Sequence, residues 1–186
     1  WIDGEAISEP SASDIRACSA FVTRLRDLAL SADARTLPDA KEACGSVEEI
    51  LRQIEHRMER VSAVADQCDG LGDFLVSDIA SRRKVLTSLQ RKFPGNFPRE
   101  HRTLSPSDFG FHNAVRRSDG SLAFLDFEYF GWDDPVKLVA DFVLHPGMQL
   151  PEPLCASFMA QMSDVFSDVP NYDERLADLL PAFRLR

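Results

Sequence analysis

Apolar residues recur at helical spacing through most of this chain and cluster otherwise only in one central stretch. After "WIDG", which reads as a strand end and a glycine turn, "SEPSASDIRACSAFVTRLRDLAL" puts Ile15, Cys18, Phe21, Val22, Leu25 and Leu28 on one helical face, with Ser13 as the expected N-cap. "SADARTLPDAKEACG" is a loop punctuated by Pro38 and Gly45. In "SVEE", Ser46 and Glu49 form an S-x-x-E capping box, each side chain satisfying the other's orphan backbone N–H. Ile50, Leu51, Ile54, Met58 and Val61 continue one face, so the second helix is predicted to run to about Asp66, where "DGLGD" breaks it. A third helix is predicted from Asp73 to Lys92, with Phe74, Leu75, Ile79, Leu86 and Leu89 on one side and charge on the other.

The texture changes at "FPGNFPREHRTLSPSDFGFHN", where Pro94, Gly95, Pro98 and Pro106 exclude a long helix. "NAVRR" and "SLAFLDF" flank "SDG", a hairpin signal. In "WDDPVKLVADFVLHP" the helical period returns. Asp133 or Asp134 caps it, Pro135 fits its first turn, Leu138, Val139, Phe142 and Val143 face inward, and Pro146 ends it. "EPLCASFMAQMSDVF" and "YDERLADLLPAF" are two further helices. The expected architecture is mainly helical with one small β-hairpin in the middle.

Composition narrows the classes. The chain of 186 residues suffices for one domain with a core. Its 21 Lys and Arg against 30 Asp and Glu leave a net charge of −9, which argues against a general nucleic-acid binder with a basic stripe. The charge permits a cationic small-molecule partner, although keeping the protein soluble is the plainer reading. Cys18, Cys44, Cys68 and Cys155 show neither paired metal-site spacing nor disulfide density, which fits free thiols in a cytoplasmic protein. No apolar run reaches the roughly 18 residues of a membrane span, and there is no signal peptide. The chain opens on "WIDGE" without a Met and closes on an amphipathic "LLPAFRLR", as expected of a piece of a longer chain.

The chemistry concentrates around the hairpin. Asp108 and Asn113 precede it, and Asp126 stands conspicuously in the apolar "AFLDF" at the end of its second strand. A hairpin folds back on itself, so Asn113 and Asp126 are expected to be neighbours, fixed by Phe109, Phe111, Phe124, Leu125 and Phe127. An amide oxygen and a carboxylate suit Mg2+, which takes a few protein oxygens and completes its shell with water and phosphate. Asp108, set apart from them, is a candidate general base or substrate-positioning group. This is the layout phosphoryl transfer needs, where the protein positions a nucleophile and neutralises charge.

D-x-x-x-x-N followed by a strand ending in Asp is also the catalytic-loop and metal-site pattern of protein-kinase-like enzymes. The string "SPSDFGFHNAVRRSDGSLAFLDFEYFGWDDP" resembles the aminoglycoside phosphotransferase and choline kinase group of that superfamily. The resemblance implies the helical C-terminal lobe of a kinase-like fold, with residues 1–12 joining the lobes and 13–186 forming the helical lobe. The nucleotide-binding lobe would precede Trp1, since no Gly-rich loop and no strand Lys with a helix Glu partner is found. The same resemblance implies Asp108 as catalytic base, Asn113 and Asp126 as Mg2+ ligands, and ATP (or GTP) as donor to a small-molecule hydroxyl. The fragment alone would be inactive. Pro106 stands where the group usually carries His, so the loop must be held in another way.

Plainer roles compete at each position. Alone, Asp108 with Asn113 reads as an Asx-type loop, and Asp126 as a carboxylate bonded to a backbone N–H. Glu128 is a second metal or substrate contact or an exposed strand end. Asp133 and Asp134 are helix caps, or part of a cleft for a cationic acceptor such as an amino sugar or quaternary amine. Trp1 and Ile2 lie beside the adenine or end a core strand. His112 is a phosphate-side donor or a loop brace, and His145 a helix end. A zinc site from His112, His145, Asp108 and Asp126 would suit a metal-dependent hydrolase, but the usual H-x-x-x-D and H-E-x-x-H spacings are absent. The functional expectation is a small-molecule kinase, against a non-catalytic kinase-like binding module and, third, a metal-dependent phosphatase.

Overall fold

The computed structural model describes residues 2–185, with the side chains at 66, 74 and 76–83 outside the described set. Trp1 and the side chains of Phe74 and Ile79, to which roles are assigned above, therefore lie outside the described residues. Among the described residues six α-helices carry the structure: α1 (Ala12–Ala29), α2 (Val47–Ser62), α3 (Leu71–Lys92), α4 (Pro135–Leu144), α5 (Glu152–Val165) and α6 (Tyr172–Phe183). Five short strands complete it: β1 (Glu5–Ala6), β2 (Thr103–Ser105), β3 (Ala114–Arg116), β4 (Leu122–Phe124) and β5 (Gly131–Asp133). No helix among the described residues is long and apolar enough to cross a membrane. All four cysteines are free thiols.

The expected hairpin is present as β3–β4, with Ala114 opposite Phe124 and Arg116 opposite Leu122. It is not the only β-structure. β1 adds to it as an antiparallel edge, Glu5 opposite Arg116, so the strand follows the glycine turn of "WIDG" instead of preceding it. β2 and β5 form a second antiparallel ladder, Thr103 opposite Asp133 and Ser105 opposite Gly131. The 38–40 loop closes over β5, with Trp132 N–H donating to Pro38 O at 3.0 Å and Ala40 N–H to Trp132 O at 3.0 Å. A Cβ on Gly131 would come within 2.6 Å of Ala40 N and Pro38 O, so only glycine admits this approach.

The helix starts refine the cap expectations. Ser11, not Ser13, caps α1: its side chain accepts from Asp14 N–H, and Asp14 Oδ2 accepts from Ser11 N–H at 2.8 Å. Ser46 caps α2 as expected, its hydroxyl accepting from Glu49 N–H at 3.2 Å. Glu49, however, reaches one residue further back, to Gly45 N–H. α2 ends at Ser62, short of Asp66, because its buried face ends at Ile54 and Met58 while Val61 is exposed.

The main core joins Ile15, Cys18 and Val22 of α1 to Val136, Val139 and Phe142 of α4, Phe158 and Met162 of α5, and Leu179 of α6. Phe109 and Phe111 of the catalytic-loop candidate belong to the same core, so the loop is anchored in the centre of the molecule. A smaller cluster of Leu25, Ala34, Leu104 and Trp132 seats the β2–β5 ladder on α1.

Candidate functional site

The loop after β2 is shaped residue by residue. Ser107 N–H donates to Ser105 Oγ at 3.1 Å and Asp108 N–H to Pro106 O at 2.9 Å, while Ser107 takes a left-handed φ of 66°. Phe109 then packs against Phe142 (ring centroids 5.0 Å) and Phe124 (5.3 Å), and Phe111 meets Phe142 edge-on at 5.6 Å. A single 3-10 turn, Phe111–Asn113, brings Asn113 back toward Asp108. Phenylalanines at 109 and 111 thus anchor the loop while Asp108, His112 and Asn113 meet around one carboxylate.

That carboxylate is held from both sides. Asn113 Nδ2 donates to Asp108 Oδ2 at 2.9 Å and to Asp108 O at 3.0 Å. His112 Nε2 lies 2.8 Å from Oδ1, and His145 Nε2 lies 3.6 Å from the same oxygen. The two imidazoles stack, centroids 3.8 Å apart and planes within 3°. Burial pushes the Asp108 carboxyl up, but His112, Asn113 and His145 outweigh it and hold the group below the usual carboxylate range. For His145, burial and His112 together lower the pKa against the pull of Asp108 and Asp141.

Asn113 and Asp126 are brought together by the hairpin. Leu125 N–H donates to Asn113 O at 2.8 Å, extending the β3–β4 register by one pair and placing Asp126 next in line. Because its NH2 is spent on Asp108, the Asn113 amide oxygen is left without a hydrogen bond among the described residues. Asp126 takes a left-handed φ of 61° past the end of β4 and is exposed, its carboxylate making no hydrogen bond or ion pair with a described residue. The buried carboxylate bonded to a backbone N–H, weighed as an alternative for Asp126, is thus not what the structure shows. Phe127, expected to pack against it, is 41% exposed.

Asp133 and Asp134 sit elsewhere. Both are buried, at 1% and 3% exposure, and both are spent on structure, which corrects the expectation of a substrate contact. Asp133 Oδ2 pairs with Lys137 Nζ at 3.0 Å, and Asp133 Oδ1 accepts from Cys44 N–H at 3.0 Å. Asp134 caps α4 through Val136 N–H at 2.8 Å and pairs with Arg175 of α6. Glu128 is exposed in the turn after Asp126, and Ile2 is exposed before β1.

Beside Asp108 opens a cleft of about 770 Å³. Its walls come from Lys137, Ala140 and Asp141 of α4, His145 just after that helix, Tyr129, the Glu42–Arg57 pair and the end of α6. Two of the four non-glycine residues with left-handed φ among the described residues, Ser107 and Gln149, line the cleft, and a third is Asp126. Such conformations cost about 1–3 kcal/mol each and gather at functional sites. Sequence reasoning joined His145 to Asp108 only in the discounted zinc-site alternative, and did not connect Asp141 or Glu42 to this site. Only the Asp133–Lys137–Asp141 spacing at i, i+4 hinted at the ion-pair chain beneath the cleft.

Asp108, His112 and His145 also place three possible metal-ligating atoms within 4.8 Å of one another. The stack works against one ion between them. Imidazole lone pairs lie in the ring plane, and two parallel rings 3.8 Å apart cannot both aim them at a metal about 2 Å from each nitrogen unless a ring turns. An amide oxygen and a carboxylate, the groups carried by Asn113 and Asp126, are donors of the kind a hard cation takes. No protein-family model and no curated protein matches the chain.

Proposed function

We propose that this chain carries the catalytic loop of a kinase-like phosphotransferase that moves the γ-phosphoryl group of ATP to a hydroxyl of a small molecule. The observation that carries the reading is the division of labour around Asn113. Its NH2 fixes Asp108 and its amide oxygen makes no hydrogen bond with a described residue, while Asp126, one residue past Leu125, the backbone partner of Asn113, carries an unpartnered carboxylate. Asn113 Oδ1 and Asp126 would hold Mg2+, which when bound neutralises charge on the phosphates. The acceptor occupies the cleft beside Asp108. Asp108 accepts the hydrogen bond of the acceptor hydroxyl and orients it in line. As the new O–P bond forms and the bond to the ADP oxygen breaks, Asp108 takes the hydroxyl proton. Its lowered pKa makes Asp108 an orienting group first and a weak base second, suited to a reaction in which positioning does most of the work.

Within this reading, Pro106 needs no histidine substitute upstream, because Asn113 and His112 secure the carboxylate from downstream. The test is ATP turnover by the intact protein with a panel of hydroxylated acceptors. Asp126→Ala is expected to abolish Mg2+-dependent transfer, and Asp108→Asn to lower kcat by about 10²–10⁴-fold. Undiminished turnover in Asp126→Ala sinks the metal assignment. ATP binding without transfer to any acceptor favours a binding module, and phosphate release without a nucleotide donor favours a phosphatase.

A further inference from the structure

We propose that His112 and His145 act as one positioning cradle for Asp108, in which the His112 Nε2–H holds oxygen Oδ1, the stacked His145 ring fixes His112, and Oδ2 is left to the acceptor hydroxyl. The role rests on the phosphotransfer reading above, while the cradle itself rests on geometry alone. An ionised carboxylate only accepts, so His112 Nε2, at 2.8 Å, carries a proton toward Oδ1. The tautomer of His145 follows from its other nitrogen. Nδ1 accepts the N–H of Gly147 at 3.2 Å, so the proton of the neutral ring is on Nε2, the atom 3.6 Å from Oδ1. Burial and the adjacent His112 favour that neutral ring. The His145 ring stacks on His112 at 3.8 Å, which fixes the plane of the His112 ring.

A carboxylate has about four acceptor directions. His112 takes one direction of Oδ1, and Asn113 takes one direction of Oδ2. The remaining Oδ2 direction is the one a substrate hydroxyl can use. The two histidines are not equivalent. His145 lines the cleft and belongs to the segment after α4, whereas His112 lies behind Asp108 in the loop itself. The loop also makes room for the cradle. A Cβ on Gly110 would lie 2.7 Å from His112 Nδ1 and 2.5 Å from Met148 Sδ. Asp141, the other carboxylate that acts on His145, is already engaged by Lys137 at 2.5 Å, which leaves Asp108 as the partner of the imidazoles.

Steady-state kinetics of the intact protein tests the role. His112→Ala should lower kcat by about 10–100-fold, the scale of a misplaced reacting group, with KM for ATP and acceptor within about twofold. His112→Gln, whose amide Nε2 donates at similar reach, should recover most of that loss. His145→Ala should lower kcat less and raise the acceptor KM, because His145 also walls the cleft. Unchanged kcat in both alanine variants, or a glutamine variant as slow as alanine, overturns the cradle. Histidine ¹⁵N NMR tests the geometry without any activity. His112 should carry a proton on Nε2, and Asp108→Ala should shift its ring resonances together with those of the stacked His145. Ring signals indifferent to Asp108→Ala overturn the cradle, whereas a wild type that transfers no phosphate while its rings respond overturns only the phosphotransfer reading.

Discussion

Asp134→Ala removes two interactions from one buried carboxylate. Oδ1 caps α4 through Val136 N–H, and Oδ2 pairs with Arg175 from α6. Loss of a capping side chain costs about 1 kcal/mol. The larger cost is the stranded cation. Arg175 is 9% exposed, and removing one partner of a buried pair costs about 3–5 kcal/mol. The guanidinium also lies 3.9 Å from the centroid of the Phe97 ring. That contact remains in the variant and supplies about 1–2 kcal/mol to a desolvated cation, which puts the ion-pair loss at the low end of its range. Together the terms give a loss of about 4–5 kcal/mol. Domains have about 5–15 kcal/mol in total, so the variant should be folded but close to its limit. Urea titration followed by far-UV circular dichroism should show a large fall in midpoint at unchanged slope. Adding Arg175→Met removes the stranded charge, and the double variant should recover about 2–3 kcal/mol. A loss below about 1 kcal/mol in Asp134→Ala, or a double variant no more stable than the single, would refute the argument that the stranded cation dominates.

The pH dependence of stability should carry the mark of Asp133. Burial pushes this carboxyl up to about 6 against the pull of Lys137, so the folded state keeps its proton to higher pH than the unfolded chain does. Its contribution is complete below about pH 4, the unfolded value, and is lost as pH rises through 6. Urea midpoints measured from pH 4 to 7 should therefore include a declining component that levels off above 6, and Asp133→Asn should flatten it; an unaltered profile in that variant contradicts the shift. Gly110→Ala is expected to push the His112 ring off Asp108 and lower kcat, while costing only about 1–3 kcal/mol of stability as an overpacked contact. A variant with wild-type turnover would show that the ring adjusts without consequence.

What was legible in the sequence follows the reach of each interaction. α4, α5 and α6 declare themselves because a buried stripe repeats every turn within one segment. The start of α1 was misplaced by two residues because "SASD" offers two serines, and what selects Ser11 is the reciprocal bond with Asp14, three residues on. β1 and β5 have two and three residues, too few for any period, and exist through partners about a hundred and about thirty positions away in sequence. The site divides in the same way. Asp108 with Asn113 is a contact across five residues, and Asp126 enters through hairpin register, so all three could be read from spacing. His145 reaches Asp108 only because α4 runs back across the loop, which no local pattern announces. Charge misled most. A chain of net −9 invites an acidic cleft and a cationic acceptor, yet Glu42 pairs with Arg57, Asp141 with Lys137, and Asp108 is held by histidine and asparagine. Acidity summed over the sequence therefore does not fix the potential inside the cleft. That potential is set by which carboxylates find partners, and pairing is a property of the fold.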